Sequence, residues 1–581
     1  MDADLEKAQG AGPNAPRPAE QQSNRSNSSS DMEKGEKSVE PAQSRPATVP
    51  DSDDGGSSQS ETITLDEDED TADPDIQPVH IRTRSRSLNR DGKQSVLAPE
   101  SGPVLPLAKD PFEVSWNGGD ADPMCPRSFA TARKWLIVLI TCLGCSCVTC
   151  ASSIYTSSYP GMTAEFGCSD LVATIGLSTF VLGIALGLAW SPLSELYGRR
   201  PIFLYSFIVF ILWLVASAVA QNIQTMLIAR FFQGLAGSAY LSVAGGTVGD
   251  LFPRESMQAP MALFSLAPFI GPSVGPLVGG FVNSYLNWRW THYVLLIWAF
   301  CQLVAVFFFV PETYHPVLLR NKARQLRKET GDDRYYAALE RNKDSVAATV
   351  GRALKRPCEL LVRELMILAL TLYSAVLLGL LYLFFGAFPL VFEGNHGFNQ
   401  WQSGLSFLGL LVGLTISACF APVWDYIRRR LMAKRQREQG LDAPASEPED
   451  RLPPAMIGAF LVPAGIFMFG WTSSPSVHWI VPIIGSAIFA MGMQFAFTGI
   501  FTYFVETYTM YAASVLAANA LVRCSFAAAF PLFGVQMYHK LGDAWASSLL
   551  AFLTVAMLPF PFLFFKYGKQ IRSRSKFAVS T

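Results

Sequence analysis

The sequence predicts an all-α polytopic membrane protein whose twelve transmembrane helices divide into two six-helix bundles. Three observations carry this. Half of the 581 residues are hydrophobic, with 41 Phe and only 16% charged residues, a balance suited to lipid rather than to a soluble core. Apolar runs of about 20 residues, enough to cross a bilayer, recur from Lys134 onward. Lys and Arg gather in every second loop: Arg133-Lys134, Arg199-Arg200, eleven residues between Arg320 and Arg356, Arg428 to Arg437, and Lys566 to Lys576. The alternate loops hold almost none, Arg289 and Lys540 excepted. The positive-inside rule then puts both termini in the cytoplasm.

Taken in order, residues 1–126 read as a disordered cytoplasmic tail. They are rich in Ser, Pro, Asp, Glu and Gln, and Phe112 and Trp116 are their only aromatics, too little apolar surface to fold. Within them the run Arg82-Thr83-Arg84-Ser85-Arg86-Ser87 makes Ser85 and Ser87 phosphorylation candidates. The sequons at Asn24 and Asn27 fall on the cytoplasmic side and are expected to stay unmodified. No apolar segment precedes Lys134, so no cleaved signal peptide is expected. Spans are predicted near 134–155, 170–190, 201–220, 225–248, 260–282 and 291–310, forming a first bundle over 127–310. A polar cytoplasmic loop, 311–361, follows. Spans near 362–386, 403–423, 454–471, 477–500, 511–535 and 544–565 form a second bundle over 362–567, with a cytoplasmic tail at 568–581.

Ten Cys are present, and only Cys168 falls in a predicted external loop, so no disulfide framework is expected. Cys142, Cys145, Cys147 and Cys150 share the first span. At about 100° per residue they point to roughly 0°, 300°, 140° and 80°, and cannot converge on one metal ion. They read as small packing residues.

Several local patterns carry chemistry. Residues 271 to 280 read Gly-Pro-Ser-Val-Gly-Pro-Leu-Val-Gly-Gly. Each Gly costs about 1 and each Pro about 3 kcal/mol against Ala in a soluble helix interior, whereas a membrane bundle tolerates both. Gly271, Gly275, Gly279 and Gly280 admit a neighbouring backbone, and Pro272 and Pro276 bend the helix. Arg230 lies inside the fourth span, where a charge marks a pathway or a partner. The loops after spans two and eight match: Pro192 to Arg200 and Pro422 to Arg429 each put an acid three residues after Pro, followed by an Arg pair. Asp425, Arg428 and Arg429 thus form a second-half pseudo-repeat of Glu195, Arg199 and Arg200, as parallel repeats would give. A carboxylate at Glu195 between two helix ends can cap one of them and pair with Arg199.

Pro192-Leu193-Ser194-Glu195-Leu196-Tyr197-Gly198-Arg199-Arg200 resembles the cytoplasmic signature of the major facilitator superfamily, with Ser191 and Glu195 in place of its first Gly and its Asp. That resemblance implies that Arg199 also reaches an acid ending span four, a position matched by Asp250. Glu195, Gly198, Arg199 and Asp250 are therefore expected to form a conformational latch. The run Leu227 to Gly234 is similar to the second signature of proton-coupled antiporters, and Arg230 matches its Arg. Since Arg does not give up its proton, its expected role is to hold a partner or shift that partner's pKa. Residues 271 to 280 resemble the span-five antiporter signature, and Arg289 follows as in that family. Pro311-Glu312-Thr313-Tyr314-His315-Pro316 and onward to Arg324 resembles the hallmark of the fungal multidrug, azole and polyamine exporter branch. Ser514, Ala518-Asn519, Arg523, Pro531-Leu532-Phe533-Gly534 and Leu541-Gly542 agree with it.

The resemblance implies a drug:proton antiporter working by alternating access. It exports lipophilic drugs, toxins or secondary metabolites. No carboxylate lies near the middle of a span, so the proton-binding group stays open. Tyr155, Tyr240, Tyr382, Phe385, Gln494 and Asn519 are candidates to line the substrate cavity, their aromatic faces and scattered hydrogen-bond groups suiting lipophilic cargo. The partners expected are a small lipophilic substrate, protons and the bilayer, with the protein a monomer, no nucleic acid bound, and no metal or cofactor. No nucleophile–base set and no P-loop occurs, which excludes an enzyme and ATP as fuel. A polyamine:proton antiporter and a non-transporting membrane sensor are the alternatives. The plasma membrane is the expected location, with the vacuolar membrane as its alternative.

Overall fold

The computed structural model describes residues 110–253, 256–341, 345–439, 447–573, 575 and 577. All lie in the unit Pro103–Thr581. Twelve long helices follow one another: α1 (Thr131–Phe166), α2 (Asp170–Tyr197), α3 (Arg199–Ala218), α4 (Ile223–Leu251), α5 (Ala259–Tyr285), α6 (Trp290–Phe309), α7 (Leu365–Asn395), α8 (Gln400–Glu438), α9 (Pro453–Trp471), α10 (Ile480–Thr507), α11 (Ala512–Leu541) and α12 (Asp543–Arg572). Each falls on a predicted span. Eleven are long and apolar enough to cross a membrane. The other, α4, has 29 residues but is diluted by Arg230, Gln233 and five Gly. The span that falls short is thus the one that carries the fully buried Arg230.

Helix pairing repeats with an offset of six. In the first bundle α1 packs on α5, α2 on α4, α3 on α4, and α3 on α6; in the second, α7 packs on α11, α8 on α10, α9 on α10, and α9 on α12. Two seams join the bundles, α2 against α11 and α5 against α8, and these are themselves related by the same offset. This is the arrangement of parallel repeats about an axis along the membrane normal. The outward faces are bare hydrocarbon: Leu212 and Phe308 are 63% and 72% exposed. In water such surface would drive association, and in lipid it has no cost.

Helix starts are set locally. Asn222 Oδ1 accepts from Thr225 N at 2.8 Å to cap α4, and Asn399 with Gln402 forms a reciprocal capping box at α8. Each such cap stabilises its helix by about 1 kcal/mol. The end where α1 begins and α12 finishes is termed proximal below, and the opposite end distal.

The loop between the bundles is largely helical, over His315–Thr330 and Val346–Arg363. The expected disordered tail must also be shortened. Residues 1–109, with Ser85 and Ser87, lie outside the described residues, but residues 110–126 are packed. Val114 N donates to Tyr336 O at 2.9 Å, Tyr336 N to Phe112 O at 3.0 Å, and Trp116 Nε1 to His315 Nδ1 at 3.2 Å. Lys322 Nζ pairs with Asp122 at 2.8 Å and holds that carboxyl down to about 2. The physical reason is that Phe112 and Trp116, with Val114, gather in one segment and find a partner surface on the loop helix.

Candidate functional site

The Gly- and Pro-rich helix α5 stands at the seam between the bundles. One face meets α1: a Cβ at Gly271 would strike Thr149 Oγ1, and one at Gly275 would strike Ser153 Oγ. Ser146 and Ser153 return hydrogen bonds to the Ala267 and Gly271 carbonyls, at 3.0 and 3.3 Å. The other face meets α8. A Cβ on Gly404 would lie 2.6 Å from Pro276 O, and one on Gly280 would lie 2.9 Å from Gln400 O. These are backbone-to-backbone approaches that only Gly allows. Gln400 Nε2 donates across the same place to Ser157 O at 2.6 Å. Gly280 and Gly404 sit near the distal ends of their helices, so the halves are closed there. Pro268, Pro272 and Pro276 all lie within the continuous helix.

At the proximal end the α2–α3 turn passes through Gly198 at φ +105°, a conformation that favours Gly. Arg199 Nε pairs with Asp250 Oδ2 at 3.1 Å and its Nη1 donates to Ser194 Oγ at 2.6 Å. The expected latch carboxylate, Glu195, is in a different place. It is exposed and makes no hydrogen bond or ion pair among the described residues. Glu312 does the capping instead. Its Oε1 accepts from Arg199 N at 2.8 Å, Thr313 N at 3.0 Å and Tyr314 N at 2.9 Å, and its Oε2 from Arg200 N at 3.2 Å. A Cβ on Gly198 would overlap that carboxylate. The reason is geometric: Glu195 rides the outer face of its helix, while Glu312, just past α6, reaches across to the start of α3. The motif from Pro311 onward was the available signal.

The second half answers at the matching position. Arg428 approaches Glu506, at the end of α10, to 3.7 Å, as Arg199 meets Asp250 at the end of α4. Arg451 reaches Glu506 more closely, at 2.6 Å. Asp425 stands nearly one turn before Arg428, and Arg429 is exposed. Sequence reasoning missed the buried cluster beside them, where Arg572 grips Glu449 at 2.9 and 3.0 Å and Arg435 grips Asp450 at 2.8 and 2.6 Å.

Inside the first bundle, Arg230 is fully buried. Its Nη1 donates to Ala151 O at 2.7 Å and Gln233 Oε1 at 3.2 Å, Nη2 to Ser152 O at 3.3 Å, and Nε to Gly176 O at 3.4 Å. The rings of Tyr155 and Phe180 cover it at 4.4 and 4.2 Å. No carboxylate pairs with it among the described residues. Two of its partners, the Ala151 and Ser152 carbonyls, lie on α1 where Ser152 Oγ meets Tyr382 OH of α7 at 2.9 Å. Arg230 therefore braces a hydrogen bond that crosses between the halves.

The cavity candidates divide. Tyr382 and Phe385 pack edge to face at 5.1 Å near the seam, Gln494 is buried with Oε1 unpartnered among the described residues, and Asn519 donates to Ser374 Oγ at 2.6 Å. Tyr155 lies under Arg230. Tyr240 is not at the seam: it fills the first bundle's core over Gly144, against Phe203 and Phe207 at 4.7 and 4.6 Å. Helical spacing alone left its direction open. Missed by sequence reasoning was a stacked pair that spans the halves, Phe269 of α5 on Phe497 of α10 at 4.8 Å.

The family model for the Major Facilitator Superfamily matches residues 141–531. The chain is 50% identical over 503 residues to the efflux pump atB of Aspergillus terreus, covering 86% of this chain and 98% of that protein. It is 40% identical over 474 residues to the probable drug/proton antiporter YHK8 of Saccharomyces cerevisiae, covering 81% and 91%. Among solved structures it resembles the human organic anion transporter MFSD10 with a TM-score of 0.52, covering 74% of this chain and 99% of that one. At 16% identity that likeness concerns the fold alone.

Proposed function

This chain belongs to the major facilitator superfamily and to its fungal drug-efflux branch, and on that premise we propose that it exports lipophilic drugs, toxins or secondary metabolites in exchange for protons, by alternating access. It is a transporter and not an enzyme. The observation that carries the proposal is the α5–α8 seam, where Gly280 and Gly404 bring two backbones together at the distal end. A helix so built closes one side tightly and can part without breaking side-chain interlocks.

Arg199, Asp250, Glu312 and Gly198 are proposed as the proximal latch, with Arg428 and Glu506 as its second-half counterpart. Arg230 is proposed to couple proton movement to the crossing contact between Ser152 and Tyr382. Tyr382, Phe385, Gln494 and Asn519 are proposed to face the cargo. The proposed organisation is a cytoplasmic N-terminal tail, two bundles joined by a cytoplasmic insert, and a cytoplasmic C-terminal tail, acting as a monomer in the plasma membrane. Support for that orientation comes from the Lys- and Arg-rich alternate loops. A polyamine cargo would ask for acids at mid-membrane depth, and no Asp or Glu lies near the middle of a predicted span.

The test is flux of a lipophilic probe from proteoliposomes with and without an imposed pH gradient, comparing wild type with Arg230→Ala. Gradient-driven flux that the variant loses is the expected result. Equal flux with and without the gradient overturns antiport.

A further inference from the structure

We propose that the cargo is a lipophilic organic acid carried as its anion, its carboxylate received by Arg523 and its ring by the Phe269–Phe497 pair. The inference rests on the export reading above and names its substrate class. Arg523 stands on α11, and its guanidinium lies over the rings of Phe497 at 5.5 Å and Phe501 at 5.1 Å. Its Nε is buried and finds no acceptor among the described residues. The contrast with Arg230 is direct. Both rest on aromatic rings, but Arg230 satisfies its fork with three carbonyls and an amide oxygen, whereas Arg523 has only the Cys524 thiol beside it and leaves Nε without an acceptor among the described residues.

Arg523, Phe497 and Phe269 each lie ten or eleven residues from the proximal end of their helices. At 1.5 Å per residue that is about 15 Å, half the hydrocarbon thickness. The three therefore meet at the membrane's middle, on helices of both bundles, where an alternating-access transporter holds its cargo. Charge balance decides the sign. The charge at this depth is Arg523, with Arg230 about ten residues nearer the distal end, and no Asp or Glu occupies the middle of a predicted span. A cation entering here would meet like charge in a low dielectric, while a carboxylate would supply the acceptor that Arg523 Nε lacks. A planar apolar ring would extend the stack that Phe269 and Phe497 begin.

Outward movement of one anion against one inward proton carries two positive-charge equivalents inward. An inside-negative potential would then speed export of the acid more than export of a neutral analogue.

The test uses three probes of one shape, 1-naphthoate, 1-naphthamide and 1-naphthylmethylammonium, in proteoliposomes of the full chain under the same proton gradient. Wild type is expected to move naphthoate fastest and the ammonium slowest. Arg523→Gln should lower the naphthoate-to-naphthamide flux ratio about tenfold, as expected for loss of one charge-assisted hydrogen bond, and Arg523→Lys should restore much of it. Because the readout is a ratio within one preparation, poor folding of a variant cannot imitate it. Movement of the ammonium as fast as the naphthoate, or an unchanged ratio in Arg523→Gln, overturns the anion assignment and leaves antiport standing. Failure of the gradient to drive any of the three in wild type overturns antiport, and the anion assignment with it.

Discussion

Two carboxylates illustrate how function divides among single residues. Glu195 sits inside the recognisable loop yet is exposed, while Glu312 lies more than a hundred residues later and receives four backbone N–H groups. Replacing Glu312 with Gln should lower stability by about 1.5–3 kcal/mol, the range for hydrogen bonds to a charged group. The same change at Glu195 should stay within about 0.5 kcal/mol, as surface substitutions do. Thermal unfolding in detergent separates them, and equal shifts would contradict the assignment. Arg230 makes a sharper case. Arg230→Lys keeps the charge but loses the fork that joins Ala151, Ser152 and Gly176. Transport by that variant should fall nearly as far as in Arg230→Ala; if Lys sustains wild-type flux, only the charge matters. What was readable here was residue type: a lone Arg in an apolar helix stands out in one dimension. The carbonyls it binds, and the direction of Tyr240, depend on neighbouring helices and do not.

Whole elements were more legible than their contacts. The twelve spans follow from hydropathy, and α5 announces close packing through its Gly spacing. Its second partner, α8, was not visible, because Gly404 sits in an ordinary small-residue context and has meaning only opposite Pro276 and Gly280. Gly404→Leu would force that seam apart at an overpacking cost of about 1–3 kcal/mol. A cysteine placed at Gln400 should then react faster with a membrane-impermeant maleimide than it does with Gly404 intact. The segment 110–126 was misread for a related reason: low apolar content predicts disorder only where no partner surface exists. Its docking depends on ionised Asp122, whose carboxyl Lys322 holds down to about 2. A carboxyl depressed in the folded state stabilises at pH above its free value, about 4, and loses that contribution as pH falls toward 2. Hydrogen exchange of residues 110–126 should therefore accelerate in that acid window, and Asp122→Asn should accelerate it at neutral pH. A pH-independent exchange rate would remove the Lys322 pair from the docking.

At the scale of the molecule, one pattern is laid down twice. The pairings of α1–α6 recur in α7–α12, the Arg199–Asp250 pair has its echo in Arg428 and Glu506, and the two seams exchange under the same offset. Such a body offers two related ways to open, one at each end. The distal end is held by the backbone approach of α5 to α8 and by Gln400 on Ser157. Between the ends, Arg230 braces the Ser152–Tyr382 contact, so whatever moves α1 against α7 must pass through it. On the reading proposed above, cargo and protons move in opposite directions through this body. The direct measurement is a pH-sensitive dye sealed inside proteoliposomes, recorded while a lipophilic probe is added to one side only. A probe-evoked proton movement opposite to the probe's own, absent in Arg230→Ala, is the predicted result. Proton movement in the same direction as the probe, or none while the probe crosses, would overturn antiport.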